Sequence, residues 1–163
     1  MSVYDIKSRT YWQKILDDIC EKSGMPAALV DEKNVVLQAS GERNPLCSKI
    51  RSNNESLSFI CSQTQQYMTH QAKTTGEPII DACEAGMLKV LIPLFLDAVF
   101  VGSITACGSS IPGEEVETFA IAKSTKMDEN KIIPLAKMIP EADQNLVKDI
   151  AQLLFQKIKG MSS

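Results

Sequence analysis

Residues 77–108, EPIIDACEAGMLKVLIPLFLDAVFVGSITACG, decide the fold. They read as three strands in succession, over 78–83, 87–96 and 99–107, with a tight connection at Asp97-Ala98. Ile, Val and Phe dominate, and apolar runs of this length bounded by turn residues argue for strands rather than helices. The two longer runs keep apolar atoms on both faces, so the hairpin they form needs cover on both sides, from helices or from a bound ligand. Lys89 is the one charge inside it. Gly86 and Gly102 mark places where a side chain would obstruct a bend or a close neighbour. Cys83 and Cys107 bracket the segment.

The rest of the chain suits one domain around this sheet. Its 163 residues are enough for a real core. A composition of 44% apolar and 23% charged residues is that of an ordinary globular protein. The net charge is only -3, and Lys and Arg are scattered, so no basic patch for direct contact with nucleic acid is expected. No run approaches the ~20 apolar residues of a membrane span. The N-terminus, MSVYDIKSRT, lacks the apolar stretch of a signal peptide. A cytoplasmic protein with reduced thiols, rather than a disulfide framework, is the expectation for its five cysteines.

Upstream, a helix is expected over 5–22, with Asp5 as its cap, Gly24 as its stop, and Tyr11, Trp12, Ile15, Leu16, Ile19 and Cys20 on one stripe. Strands follow at 27–30 and 35–39 around the polar turn 31–34. A short helix with Asn44 as N-cap and Pro45 first comes next. A long helix then runs from about 56 to 74, ended by Gly76, with Leu57, Ile60, Cys61, Thr64, Met68 and Ala72 on one face. If it is regular, His70, the only histidine, points away from Cys61 and stands on the surface. Downstream, helical patterns are expected over 109–123 and over 128–138 around Pro134, and a last helix from Pro140 to about Lys159 carries a broad apolar stripe. The chain thus divides into a first helix at 5–22, a sheet-and-helix core at 26–123 and C-terminal helices at 128–159.

The expected fold is α+β: a central, largely antiparallel sheet of about five strands with helices on one face and long helices at both ends. That order resembles PAS and GAF sensory domains. The thiols make the resemblance more specific. Cys47, Cys61, Ala72, Gly76, Pro78, Cys83, Gly86, an apolar strand holding Pro93, then Gly102 and Gly108, form an ordered set that closely resembles the PocR-type sensory domain, over about residues 6–159. The resemblance implies a ligand-binding sensor for small hydrocarbon derivatives such as diols, with Cys47, Cys61, Cys83 and Gly86 on the family's positions. Two places depart from the pattern: Glu84 stands where the family usually has histidine, and Asp97-Ala98 where it usually has a glycine-containing turn. Family members usually carry output domains. None is encoded in this sequence, which implies a fragment of a longer protein or a separate output partner.

Three functions stay open. In the first, a small ligand binds between the sheet and the 57–74 helix, against Cys47, Cys61, Cys83, Gly86, Met68 and the hydroxyl of Tyr67. It alters how the terminal helices pair, and these helices also make a homodimer. In the second, Cys47, Cys61, Cys83 and Cys107 hold a thiolate-bound metal or an iron–sulfur cluster, or act as a redox sensor, although no close Cys-x-x-Cys pair supports this. In the third, a cysteine-dependent enzyme, a thiol would need a base that the poorly phased His70 does not offer. Cys20, on its apolar stripe, and Cys107 are read first as small core residues, and for Cys47, Cys61 and Cys83 that reading stands beside a pocket role. Lys89 and Glu84 are read as solvent-facing.

Overall fold

The computed structural model describes residues 1–162. A short 3-10 turn at Val3–Asp5 precedes α1 (Arg9–Ser23). The expected cap Asp5 belongs to that earlier turn, where its carboxylate accepts from Ser2 N–H at 2.7 Å. Ser8 caps α1 instead, accepting from Tyr11 N–H at 3.2 Å. Gly24 ends α1 in the left-handed conformation, as expected. β1 (Ala27–Asp31) and β2 (Val36–Ser40) make the first hairpin.

The 45–75 stretch is more broken than its periodicity suggests. α2 (Pro45–Arg51) starts on Asn44, whose side chain accepts from Cys47 N–H at 2.8 Å. One helical turn, α3 (Asn54–Ser56), leads into a π-helical segment (Leu57–Ser62) and then α4 (Gln63–Thr75), closed by Gly76. The expected long helix therefore has its first part underwound into a wider turn. That splits its predicted single face: Ile60 joins a cluster with Leu46, Ile50 and Met87, whereas Met68 and Ala72 lie on Leu91.

β3 (Ile79–Ala82), β4 (Met87–Leu96) and β5 (Val99–Ser110) complete the sheet. Its order is β2-β1-β5-β4-β3 with every neighbour antiparallel. Residues 109–110 extend β5 instead of starting a helix, and α5 (Thr118–Thr125) begins later than expected. Its start is set where Glu117 N–H donates to Ala85 O at 2.9 Å. α6 (Glu129–Lys137) accommodates Pro134, and α7 (Gln144–Ser162) ends the chain. Residues 140–142 are not helical: Glu141 forms a bridge with Ser110, and Ala142 N–H donates to Ser110 O at 2.8 Å. Asp143 then offers its carboxylate to Leu146 N–H. Among the described residues no helix is long and apolar enough to cross a membrane.

The first eight residues of β4 are all buried, so both sheet faces need cover. The helices accordingly lie on both faces, not one. α1 and α7 bury Trp12, Leu16, Val147, Ala151 and Phe155 against Val90, Ile92, Ile104 and Ala106. α2, α4 and the π-helical segment cover the other face.

The β4–β5 turn puts Asp97 at φ 49° and Ala98 at φ 65°, the two left-handed positions of a type I′ hairpin. Aspartate tolerates this conformation, but the alanine Cβ does not. Ala98→Gly is expected to stabilise the fold by about 1 kcal/mol. A rise in the urea midpoint with unchanged slope would show it, and a fall would contradict it.

Candidate functional site

The α1/α7 face is well packed: a void of about 10 Å³ there has room for roughly one water. The opposite face is not. A cavity of about 400 Å³ opens there, within the roughly 300–1,000 Å³ typical of ligand pockets. Its floor is the sheet, with Ala28 and Val30 from β1, Thr105 and Cys107 from β5, and Lys89 from β4. Its roof is Cys47 and Arg51 of α2, Leu57 and Cys61 of the π-helical segment, and Gln65 of α4. Lys33, Val36 and Arg43 stand at the exposed mouth.

Two asparagines hold roof to floor. Asn34, at φ 65° in the β1–β2 turn, accepts through Oδ1 from Thr69 Oγ1 at 2.9 Å and from Gln65 Nε2 at 3.2 Å. At the other end Asn44 donates through Nδ2 to Gly108 O at 2.8 Å, while its Oδ1 caps α2. The helices are thus pinned at both ends of an unfilled space. The π-helical turn between them is a rare element often found at functional sites.

The sequence-predicted residues divide. Cys47, Cys61 and Cys107 line the cavity. Cys83 is close behind, packed with Leu46, Ile60 and Met87. Gly86 lies in the β3–β4 turn at φ 82°, where a Cβ would come within 2.9 Å of Glu115 O, so its position serves packing of the 111–117 loop. Met68 is fully buried against Leu91, outside the cavity lining. Tyr67 is 57% exposed on the far side of α4, its hydroxyl accepting from Gln71 Nε2 at 3.1 Å. The phase that the π-helical turn sets explains both: Leu57, Cys61 and Gln65 turn to the cavity, and Tyr67 and Met68 do not. His70 is exposed on α4, as its phase predicts. Cys20 packs against the main core, its thiol donating to Ser40 O at 3.1 Å.

Lys89 overturns its reading as solvent-facing. It is 7% exposed and lines the cavity. β4 alternates, so Lys89 and Leu91 share the face under α2, α4 and the π-helical segment with the directly opposed Cys107 of β5. A lone charge within an otherwise apolar strand was the available signal. Arg51, Asn34 and Thr105 had none, because their roles depend on contacts distant in sequence.

Burial pushes the Cys47 thiol up to about 12, and the neighbouring Cys107 adds to the shift. Its sulfur accepts from Asn44 Nδ2 at 3.3 Å, which acts the other way, and lies 3.7 Å from Met87 Sδ. Cys61 and Cys83 are raised too, again chiefly by burial; Arg51 and then Lys89 oppose the shift at Cys61. Thiols held this way are protonated near neutral pH and poor nucleophiles. Among the described residues no group of three or more His, Cys, Asp or Glu side chains is disposed to hold a metal ion. The four-thiolate site that the sequence left open does not fit this arrangement.

The Cys47 shift has a stability consequence. A thiol whose folded value is raised contributes stability that is complete below its unfolded value and lost as pH climbs through the folded one. Between pH ~9 and ~12 the wild type is therefore expected to lose stability more steeply than Cys47→Ala. Urea unfolding across that range checks this, and parallel curves would contradict it.

A family model described as the sensory domain found in PocR matches residues 5–163. No curated protein and no solved structure matches the chain.

Proposed function

We propose that this chain, which belongs to the family of sensory domains found in PocR, senses a small molecule held in the cavity between the sheet and the α2–α4 roof. The observation that carries this reading is the contrast between the two faces of one sheet. One is packed to a void of about 10 Å³ and the other leaves about 400 Å³ with a few convergent polar groups. A cavity of that size weakens packing unless something fills it. The raised thiols favour an organic ligand over thiolate chemistry.

The route from ligand to output runs through the sheet. Thr105 and Cys107 face the cavity, and Ile104 and Ala106, alternating with them on β5, face α1 and α7. A ligand that shifts β5 thereby shifts the bed of both terminal helices. A second copy of this chain meets the first along α7, where Leu146 and Leu153, at heptad spacing, are 38% and 73% exposed. An output protein or fused segment reads the change in helix pairing. Leu153→Glu is expected to convert a dimer into a monomer in sedimentation velocity, and equal sedimentation of the two proteins would contradict the pairing.

The cavity reading is tested by amide spectra of the labelled protein titrated with a small-metabolite library. Shifts concentrated at Ala28, Cys61, Thr105 and Cys107 are expected. A library hit that perturbs only the packed α1/α7 side, or the absence of any hit, would overturn it.

A further inference from the structure

Lys89 sets the ligand's chemistry. Its side chain is more than nine-tenths buried, yet among the described residues its ammonium makes no hydrogen bond and no ion pair. Asp81 is its cross-strand neighbour on β3, but that carboxylate is exposed and its Oδ1 accepts from Ala82 N–H at 2.8 Å. No Asp or Glu lines the cavity, whereas Lys89, Arg51, Arg43 and Lys33 all do. This is a cationic chamber in a chain whose net charge is -3. An ammonium taken out of water without a counter-charge is costly, and such a group normally has a partner. Its Nζ is not sealed in by protein, and the space that Lys89 lines is the cavity.

We propose that the sensed molecule is a small organic monoanion, a carboxylate whose charged end sits on Lys89 and whose alkyl portion lies against Ala28, Val30 and Leu57. This rests on the cavity being the ligand site. The class follows from the charge count and the walls. One unpaired ammonium on the cavity floor balances one negative charge. The Arg51 guanidinium on the roof acts electrostatically on the Cys61 thiol, and Arg43 and Lys33 stand at the open mouth, where they draw anions inward. A phosphate dianion would need more convergent donors than this floor supplies. An uncharged diol would accept hydrogen bonds from the ammonium but leave its charge unbalanced.

The test is calorimetric titration of the full chain with straight-chain carboxylates from acetate to octanoate. Butanamide and butane-1,2-diol serve as uncharged counterparts, and inorganic phosphate as the second source of negative charge. At least one carboxylate is expected to bind, with butanamide weaker than butanoate. Lys89→Met is expected to weaken carboxylate binding by about 30-fold or more, and to raise the melting temperature of the ligand-free protein by removing the unpaired charge. Should that variant not fold, Lys89→Gln is read in the same titration and is expected to lose the same binding.

If the diol or amide binds as well as the carboxylates and is indifferent to Lys89, the anion class is wrong while the cavity reading stands. Phosphate binding through Lys89, with every carboxylate inert, overturns the carboxylate class. Carboxylate binding untouched by both Lys89 substitutions overturns the role of Lys89. If no compound binds at all, both this inference and the cavity reading on which it rests fail.

Discussion

Trp12→Ala is expected to cost about 3–5 kcal/mol, enough to leave most domains of this size marginal. Trp12 is fully buried between α1 and the sheet, in the cluster that also holds Leu16, Leu94 and Phe155. Alanine removes the whole indole, and the helix cannot collapse into the gap because α7 flanks it. It also removes the donor that binds Val3 O at 3.0 Å and so fixes the N-terminal turn against α1. An edge-to-face contact with Tyr11, with centroids 5.5 Å apart, goes too. Trp12 is the only tryptophan, so the variant's urea curve is followed by circular dichroism. A loss below about 1 kcal/mol would contradict this packing.

Gly102→Ala is expected to be comparably severe, at about 3 kcal/mol or more. A Cβ at this position would run into the Val30 carbonyl oxygen and come within 2.7 Å of Val3 Cγ1. The carbonyl belongs to the neighbouring strand, not to a flexible side chain, so β1 itself must move away from β5. Ladder hydrogen bonds around Asp31 and Val30 would be lost in the process. The consequence reaches the cavity, because Ala28 and Val30 form its floor. A variant that unfolds at the wild-type midpoint would show that the two strands have slack there.

Most of the fold was legible because it rests on local signals. The run Met87–Leu96 appears in the structure with the bounds its composition suggests. Asn44, Gly24 and Gly76 act as the caps their residue types imply. The misread stretches are those governed by distant partners. Residues 140–142 look like the start of a helix, but Ser110 holds them as a bridge. Residues 109–110 look like the start of a helical segment, but continue β5 alongside Met87 and Leu88.

The site was legible only through its cysteines. Cys47, Cys61 and Cys107 lie far apart in sequence and meet at one cavity. Tyr67 and Met68 were placed by assuming a regular helix, and the π-helical turn at Leu57–Ser62 changed the phase on which that assumption depends. Lys89 was visible as a charge in an apolar strand. Its burial could not be read without knowing that α2 and the π-helical segment lie over it.

Native mass spectrometry of the protein incubated with a metabolite extract tests the central claim most directly, run in parallel on wild type and Ala28→Trp. Ala28 lies on the cavity floor, where an indole would occupy much of the space. The expected result is a small-molecule adduct on the wild type that is absent from a folded Ala28→Trp. An adduct of the same mass and abundance on both proteins, or none on either, would contradict a ligand in this cavity.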